Sequence, residues 1–312
     1  MAENGRLSRR RHGGLWREIK RNRSIYAFVI PAVIFFLVFK YYPMYFLQVA
    51  FRDFRITRTV DASAWVGFKY FSQLFATSGF WSALRNTLTI SLGKLVFGFP
   101  LPVILALLLN EIKSRRAKQL YQTIVYLPHF ISWVVISGII YNLTAMPNGL
   151  FNQIAVLFGG QPSVILGNKQ LFQPILVISE IWKETGWGTI IYLAALTQIG
   201  SELYEAARID GANRFQQILY VTLPGIKEIV IVMLILRIGN ILNVGFEQVM
   251  VMQNEMVLSV GDTLDTFVWR LGLQNGRYSF ATAAGLFKGV VAAVMIFTAD
   301  RISKGVGESG LL

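Results

Sequence analysis

The sequence predicts an all-α, polytopic membrane protein with six transmembrane helices, N-in/C-in. Of its 312 residues 54% are hydrophobic and only 15% charged, with a mean hydropathy of +0.50. Apolar runs on that scale do not fit inside a soluble core of this size. Six of them reach membrane length, taking roughly 20 apolar residues as the requirement. The basic residues sit in short segments beside these runs, the pattern of membrane topology.

Residues 1–24 read as a basic cytoplasmic N-terminus, with Arg6, Arg9, Arg10, Arg11, Arg17, Lys20, Arg21 and Arg23. A six-helix transmembrane domain over 25–304 follows. No small-residue cleavage site closes its first apolar span, about 25–51, so this span is expected to be retained rather than removed as a signal peptide. Pro31 and Pro43 predict kinks in it, and Tyr41, Tyr42 and Tyr45 an interfacial belt. Lys40 either snorkels or pairs. Residues 52–80 alternate Trp65, Phe68, Tyr70, Phe71, Leu74 and Phe75 with polar positions, as a segment lying on the membrane surface would. The second span, about 82–110, is broken by Pro100 and Pro102 and ends in a basic loop with Lys113, Arg115, Arg116 and Lys118.

The third span, about 120–143, contains Pro128 and Trp133. The connector 144–170 includes a short amphipathic helix over 148–160, stopped by Gly159-Gly160. The fourth span is about 172–199, the fifth about 224–249 and the sixth about 279–299, with 250–278 as a connector. Arg301 and Lys304 lie just beyond the sixth, and 305–312 form a short cytoplasmic tail.

With the N-terminus inside, the inner segments hold 17 Lys/Arg and the outer segments 7, as the positive-inside rule requires. The absence of cysteine excludes disulfides and thiolate sites. The two histidines, His12 and His129, are too far apart in sequence for a metal site or proton relay to be expected. No G-x-x-x-x-G-K-[ST] loop occurs. The net charge of +13 is not interleaved with aromatics on one face, so no nucleic acid is expected as a partner.

The longest polar interruption in the C-terminal half is 201–224, and the rest of the chain is organised around it. Glu205, Ala206 and Ala207 lie on one helical turn. Asp210, Gly211 and Ala212 follow, then a second helical run over 213–220, then Leu223 and Pro224. Gly211 is the residue best able to turn the backbone. The two alanines let another surface approach closely, and Glu205 offers a carboxylate for a bidentate arginine. Pro224 is expected to open the next membrane helix.

This stretch resembles the EAA loop of ABC-importer permeases: Glu-Ala-Ala, three residues, Gly, nine residues, Ile-x-Leu-Pro, with Val221 in place of Ile. The likeness extends through Asn110-Glu111 and the segments 126–135, 179–199, 236–249, 262–273 and 278–291, which are similar to the LplB-type branch of carbohydrate permeases among the maltose-type importers. The resemblance implies the type I ABC importer permease fold in a bacterial cell membrane. It implies a heterodimer with a second homologous permease, two ABC ATPase subunits below, and an extracytoplasmic binding protein that delivers an oligosaccharide or polysaccharide fragment. The loop would be the coupling helix that docks on the ATPase. No cofactor is expected on this chain, since ATP and Mg belong to the ATPase, and no enzymatic activity. In some members the C-terminal tail reaches the ATPase.

Polar residues within spans are candidates for the substrate pathway. Arg237, Asn240, Val244 and Glu247 follow helical spacing, flanked by Asn243 and Gln248, and form a stripe that lines the pathway or bonds to neighbouring helices. Trp182 and Trp187 stack on sugars or anchor the interface, and Glu180, Lys183 and Glu184 read as an intrahelical charge group. Lys288 needs a partner, either Glu247 or an anionic group of the substrate. Asp262 and Asp265 are expected at helix termini or in solvent. The competing reading is a secondary transporter or channel for a small polar solute, with Glu247 as its titratable group. Against it, no strong repeat of discontinuous helices is visible. A membrane-bound enzyme has less support, for want of a second catalytic group.

Overall fold

The computed structural model describes residues 22–305. The expectations for the basic N-terminus and the tail therefore lie almost wholly outside the described residues. Helix α1, Arg23–Phe51, leads. It widens by one turn over Leu37–Tyr41 and tightens over Tyr42–Phe51. The adjustment sits at Pro43, whose ring lacks the N–H and crowds the preceding turn. At Pro31 the helix runs on without a break.

Residues 52–68 form turns, with one bridge pairing Arg52 and Trp65 and no β-strand among the described residues. The Arg52 guanidinium gathers the carbonyls of Val60, Asp61 and Ser63 at 3.1–3.2 Å. Helix α2, Lys69–Ala76, then buries Leu74. The Tyr70 hydroxyl donates to Asp53 at 2.5 Å and holds that carboxyl below its usual range. The expected surface segment is thus tied down as well as partly exposed.

Helix α3, Ser78–Asn110, passes its two prolines with a single irregular turn at Phe99. The third expected span is a correction. Helices α4, Arg115–Phe130, and α5, Trp133–Thr144, are bent by 96° at Ile131-Ser132. Pro128 withdraws one backbone donor just before the bend, and the Ser132 hydroxyl caps α5 by accepting from Val135 N. Helix α6, Leu150–Leu157, ends at Gly159 with φ +81°, where its two glycines were expected to stop it.

Helix α7, Lys169–Leu196, is the central element, packed along α3 and against α4. Helix α8, Ser201–Ile209, and a tight turn lead to α9, Arg214–Gly239. The fifth span is a second correction, because α9 stops at Gly239 rather than near 249. The chain turns through Asn240 and Asn243, takes φ +89° at Gly245, and restarts as α10, Phe246–Met252. Two glycines and two asparagines within seven residues favour a break over a continued helix.

The connector 250–278 is also not a simple loop. Helix α11, Leu264–Trp269, buries Leu264 and Phe267 beside Phe80 and Phe280. Helix α12, Tyr278–Gly305, closes the described chain against α1, α2 and α9. Four helices, α1, α3, α9 and α12, are individually long and apolar enough to cross a membrane, and the bent α4–α5 pair makes a fifth candidate. Helix α7 has 28 residues, about 42 Å at 1.5 Å per residue, but carries charge at its middle.

Candidate functional site

On α7, Glu180, Lys183, Glu184 and Trp187 recur every three or four residues and share one face. That face meets α3, the end of α9 and the α4–α5 bend. Lys94 of α3 is buried there, with a side chain only 4% exposed. Its ammonium donates to the Glu180 carboxylate, to Val244 O at 2.7 Å and to Gln248 Oε1 at 2.5 Å. Three donors meet three acceptors, as a buried cation requires. Gln248 in turn donates to Leu176 O at 2.7 Å and Ser179 Oγ at 2.9 Å. Gln248, fully buried, therefore braces the helix break and lines none of the cavities described below. Arg237, in the last turn of α9, reaches the other Glu180 oxygen at 2.9 Å.

A second layer lies one turn along α7. The Lys183 ammonium donates to His129 O and, at 2.9 Å, to Ile131 O, the carbonyls freed at the bend. It also sits 5.7 Å from the centre of the Trp133 ring. His129 Nδ1 lies 2.8 Å from Glu184 Oε2, and its imidazole stacks on Trp187 with centroids 4.4 Å apart. The expected Glu180–Lys183–Glu184 group is thus mostly interhelical: only the 3.7 Å Lys183–Glu184 pair is local. Lys183→Met is expected to strand these two carbonyls and cost about 1–3 kcal/mol. Thermal unfolding of the purified permease in detergent measures this. An unchanged melting temperature would remove Lys183 as the brace of the bend.

These groups surround a cleft of about 410 Å³ lined by Lys94, Trp133, Glu180, Glu184, Trp187, Arg237 and Asn243, among others. A neighbouring recess of about 530 Å³ also touches Asn243 and is lined by Asp265, Trp269, Tyr278 and Lys288. Asn240 faces a third space beside Ser91, Lys94 and Arg237. Of the pathway candidates, the structure brings Asn240, Asn243, Trp187 and Lys288 to these cavities. Glu247 is exposed and lines none of them, and Trp182, 52% exposed, faces away. Lys288 pairs with Asp265 at 2.5 Å, not with Glu247. Asp262 is buried against Arg270 and Thr266 rather than solvated. The helix break separates Glu247 from Arg237 and dissolves the expected stripe. Lys94 was missed, although a lone lysine inside an apolar span is itself a signal.

At the other end of α7 and α9 lies the 201–224 stretch. Gly211 adopts φ +79°, and Ala212 N bonds back to Ala207 O at 2.8 Å, ending α8. Asn213 and Gln216 form a reciprocal cap that starts α9. The helix therefore begins at Arg214, and Pro224 lies within it after a wide turn over Ile218–Thr222 instead of opening it. Arg214 bridges to Glu111 at the end of α3 at 2.8 Å. Glu205, Ala206, Asp210 and Pro224 are exposed, and Ala207, Ala212 and Leu223 are half-buried. Ile209 and Phe215 are 87% and 73% exposed. The cleft stands about 21 Å along α9 from Leu223, at Arg237, and about 24 Å along α7 from Leu196, at Glu180.

Apolar helices closed around a polar cleft, with a solvent-facing turn at one end, define a membrane permease. The model of the family "binding-protein-dependent transport system inner membrane component" matches residues 98–307, and the chain belongs to this family. It is a multi-pass membrane permease subunit of a binding-protein-dependent ABC importer, not an enzyme. It is 44% identical to protein LplB of Bacillus subtilis (strain 168) over 94% of this chain and 92% of the relative. It is 41% identical to the polygalacturonan/rhamnogalacturonan transport system permease protein YteP of the same organism, over 93% and 91%. A permease chain in the crystal structure of a bacterial alginate ABC transporter, solved with an alginate pentasaccharide-bound periplasmic protein, aligns with a TM-score of 0.87 and 41% identity over 95% of this chain and 99% of that one.

Proposed function

We propose that this chain forms one half of the pathway of an ATP-driven importer for an oligosaccharide or polysaccharide fragment. It works by alternating access and is driven by a separate ATPase that docks on 201–224. The observation that carries the coupling is the exposed turn. Glu205 has no side-chain hydrogen bond or ion pair among the described residues, and Ile209, one turn on along α8, and Phe215, beyond the Gly211 turn, are both exposed. An unsatisfied carboxylate beside exposed apolar side chains fits a docking surface. The names of the relatives support a carbohydrate cargo, and the aromatic and amide lining of the cleft agrees with one. The proposal includes six spans with both termini inside, a second permease, two ATPases and a delivering binding protein. ATP binding would close the ATPase pair and rock the helices to open the cleft outward.

The test is uptake in cells carrying the native system. Nothing lies within 4 Å of the position a Cβ would take at Gly211, so a side chain there meets no clash. Its φ of +79° costs a residue other than glycine about 1–2 kcal/mol, and Glu205→Arg is therefore the variant that decides. Gly211→Asp and Glu205→Arg are expected to insert normally and to lose uptake of labelled oligosaccharide to background. Full transport by either variant would refute the coupling assignment.

A further inference from the structure

The fixed charges around the cleft do not balance. Lys94 and Arg237 line it against Glu180 and Glu184, and Lys183, buried behind the lining beside Glu184, makes the cluster three cations to two anions. The ion pair of the neighbouring recess, Asp265–Lys288, is neutral. His129, against Glu184, brings no negative charge. One positive charge is left over in the cluster, between apolar helices, where an uncompensated charge is costly.

The excess can be placed. Lys94 has spent all three donors and is buried. Lys183 is held by the backbone of the bend and is 8% exposed. Arg237 is different: its side chain is 45% exposed, and Glu180 is its ion-pair partner among the described residues. Glu180 is 15% exposed and has Lys94 on its other oxygen. Arg237 can therefore leave Glu180 without stranding a buried carboxylate. Its planar fork fits a carboxylate in a bidentate manner, which an ammonium cannot match. Trp133 and Trp187 line the same cleft, and Asn243 adds an amide.

We propose that Arg237 is an exchangeable cation that swings from Glu180 to the carboxylate of an acidic saccharide, selecting uronate-type sugars over neutral ones. The ion pair Arg237–Glu180 opens and Arg237–carboxylate forms. Lys94 then keeps Glu180 neutralised, and the incoming anion brings the cluster that includes Lys183 to zero net charge. This rests on the carbohydrate-importer reading and adds the charge of the cargo.

The experiment measures uptake, in cells carrying the native system, of labelled short galacturonate, mannuronate and guluronate oligosaccharides and of the carboxyl-reduced counterpart of each. The wild type is expected to prefer a charged form. Arg237→Gln should lower its uptake about tenfold or more, the worth of a charged hydrogen bond, while uptake of the reduced form changes less than about twofold. Equal loss of both forms, or no loss, overturns the inference. So does a wild type that takes up the reduced form as fast as the charged one, which leaves the carbohydrate reading standing. Uptake of neither by the wild type overturns both. Should R237Q fail to reach the membrane, R237K decides. It keeps the charge but not the fork, and an unchanged ratio of charged to reduced uptake overturns the inference.

Discussion

Glu180→Ala is expected to unfold the permease or leave it barely stable. The carboxylate holds a 4%-exposed ammonium on one side and Arg237 on the other. Without it, Lys94 keeps only two neutral acceptors, Val244 O and Gln248 Oε1. Breaking a buried ion pair by removing one partner costs about 3–5 kcal/mol, a large part of the 5–15 kcal/mol typical of a whole domain. Thermal unfolding of the purified protein measures the loss. Glu180→Gln, which keeps shape and one acceptor, should lose less. Replacing Lys94 and Glu180 together by methionine should recover part of the stability, since the buried charge leaves with its partner. Wild-type stability of Glu180→Ala would mean that Lys94 is not a buried cation in the folded protein.

Gly186→Ala is the second large effect expected. A Cβ at this position would lie 1.8 Å from Val125 O and 2.4 Å from Val125 C, both backbone atoms of α4. Backbone cannot rotate aside as a side chain can, so α4 and α7 must separate. Overpacking of this kind costs about 1–3 kcal/mol, occasionally more. The displaced segment runs directly into the bend that Lys183 braces, so the cleft should distort as well. Gly289→Ala is the control, since nothing lies within 4 Å of its added Cβ. A melting temperature for Gly186→Ala equal to that of Gly289→Ala would contradict the close contact of these helices.

What could be read in the sequence follows from what its signals encode. Apolar length located α1, α3 and α12, and glycine chemistry located the turn at Gly211 and the stop at Gly159. These are local properties. Hydropathy carries no direction, so it joined α4 and α5 into one span although Lys183, more than fifty residues away, holds the 96° bend between them. The end of α9 was a different failure. Gly239, Asn240, Asn243 and Gly245 favour a break, but the apolar run continues past them at helical spacing and masks it. Partners across the fold were the least legible. Lys288 lies nearer in sequence to Asp265 than to Glu247, yet only the packing of α11 on α12 decides the pair. Lys94 was legible in principle, since a lysine in an apolar span implies a counter-charge.

The Glu111–Arg214 bridge fastens the start of α9 to the end of α3. If the proposed ATPase docks there, a load applied at the Gly211 elbow would divide between two levers. One runs up α9 to Arg237, and the other runs up α3 to Lys94. Both grip the same carboxylate, so under that proposal a small shear at the exposed turn would reach Glu180 through both of its oxygens.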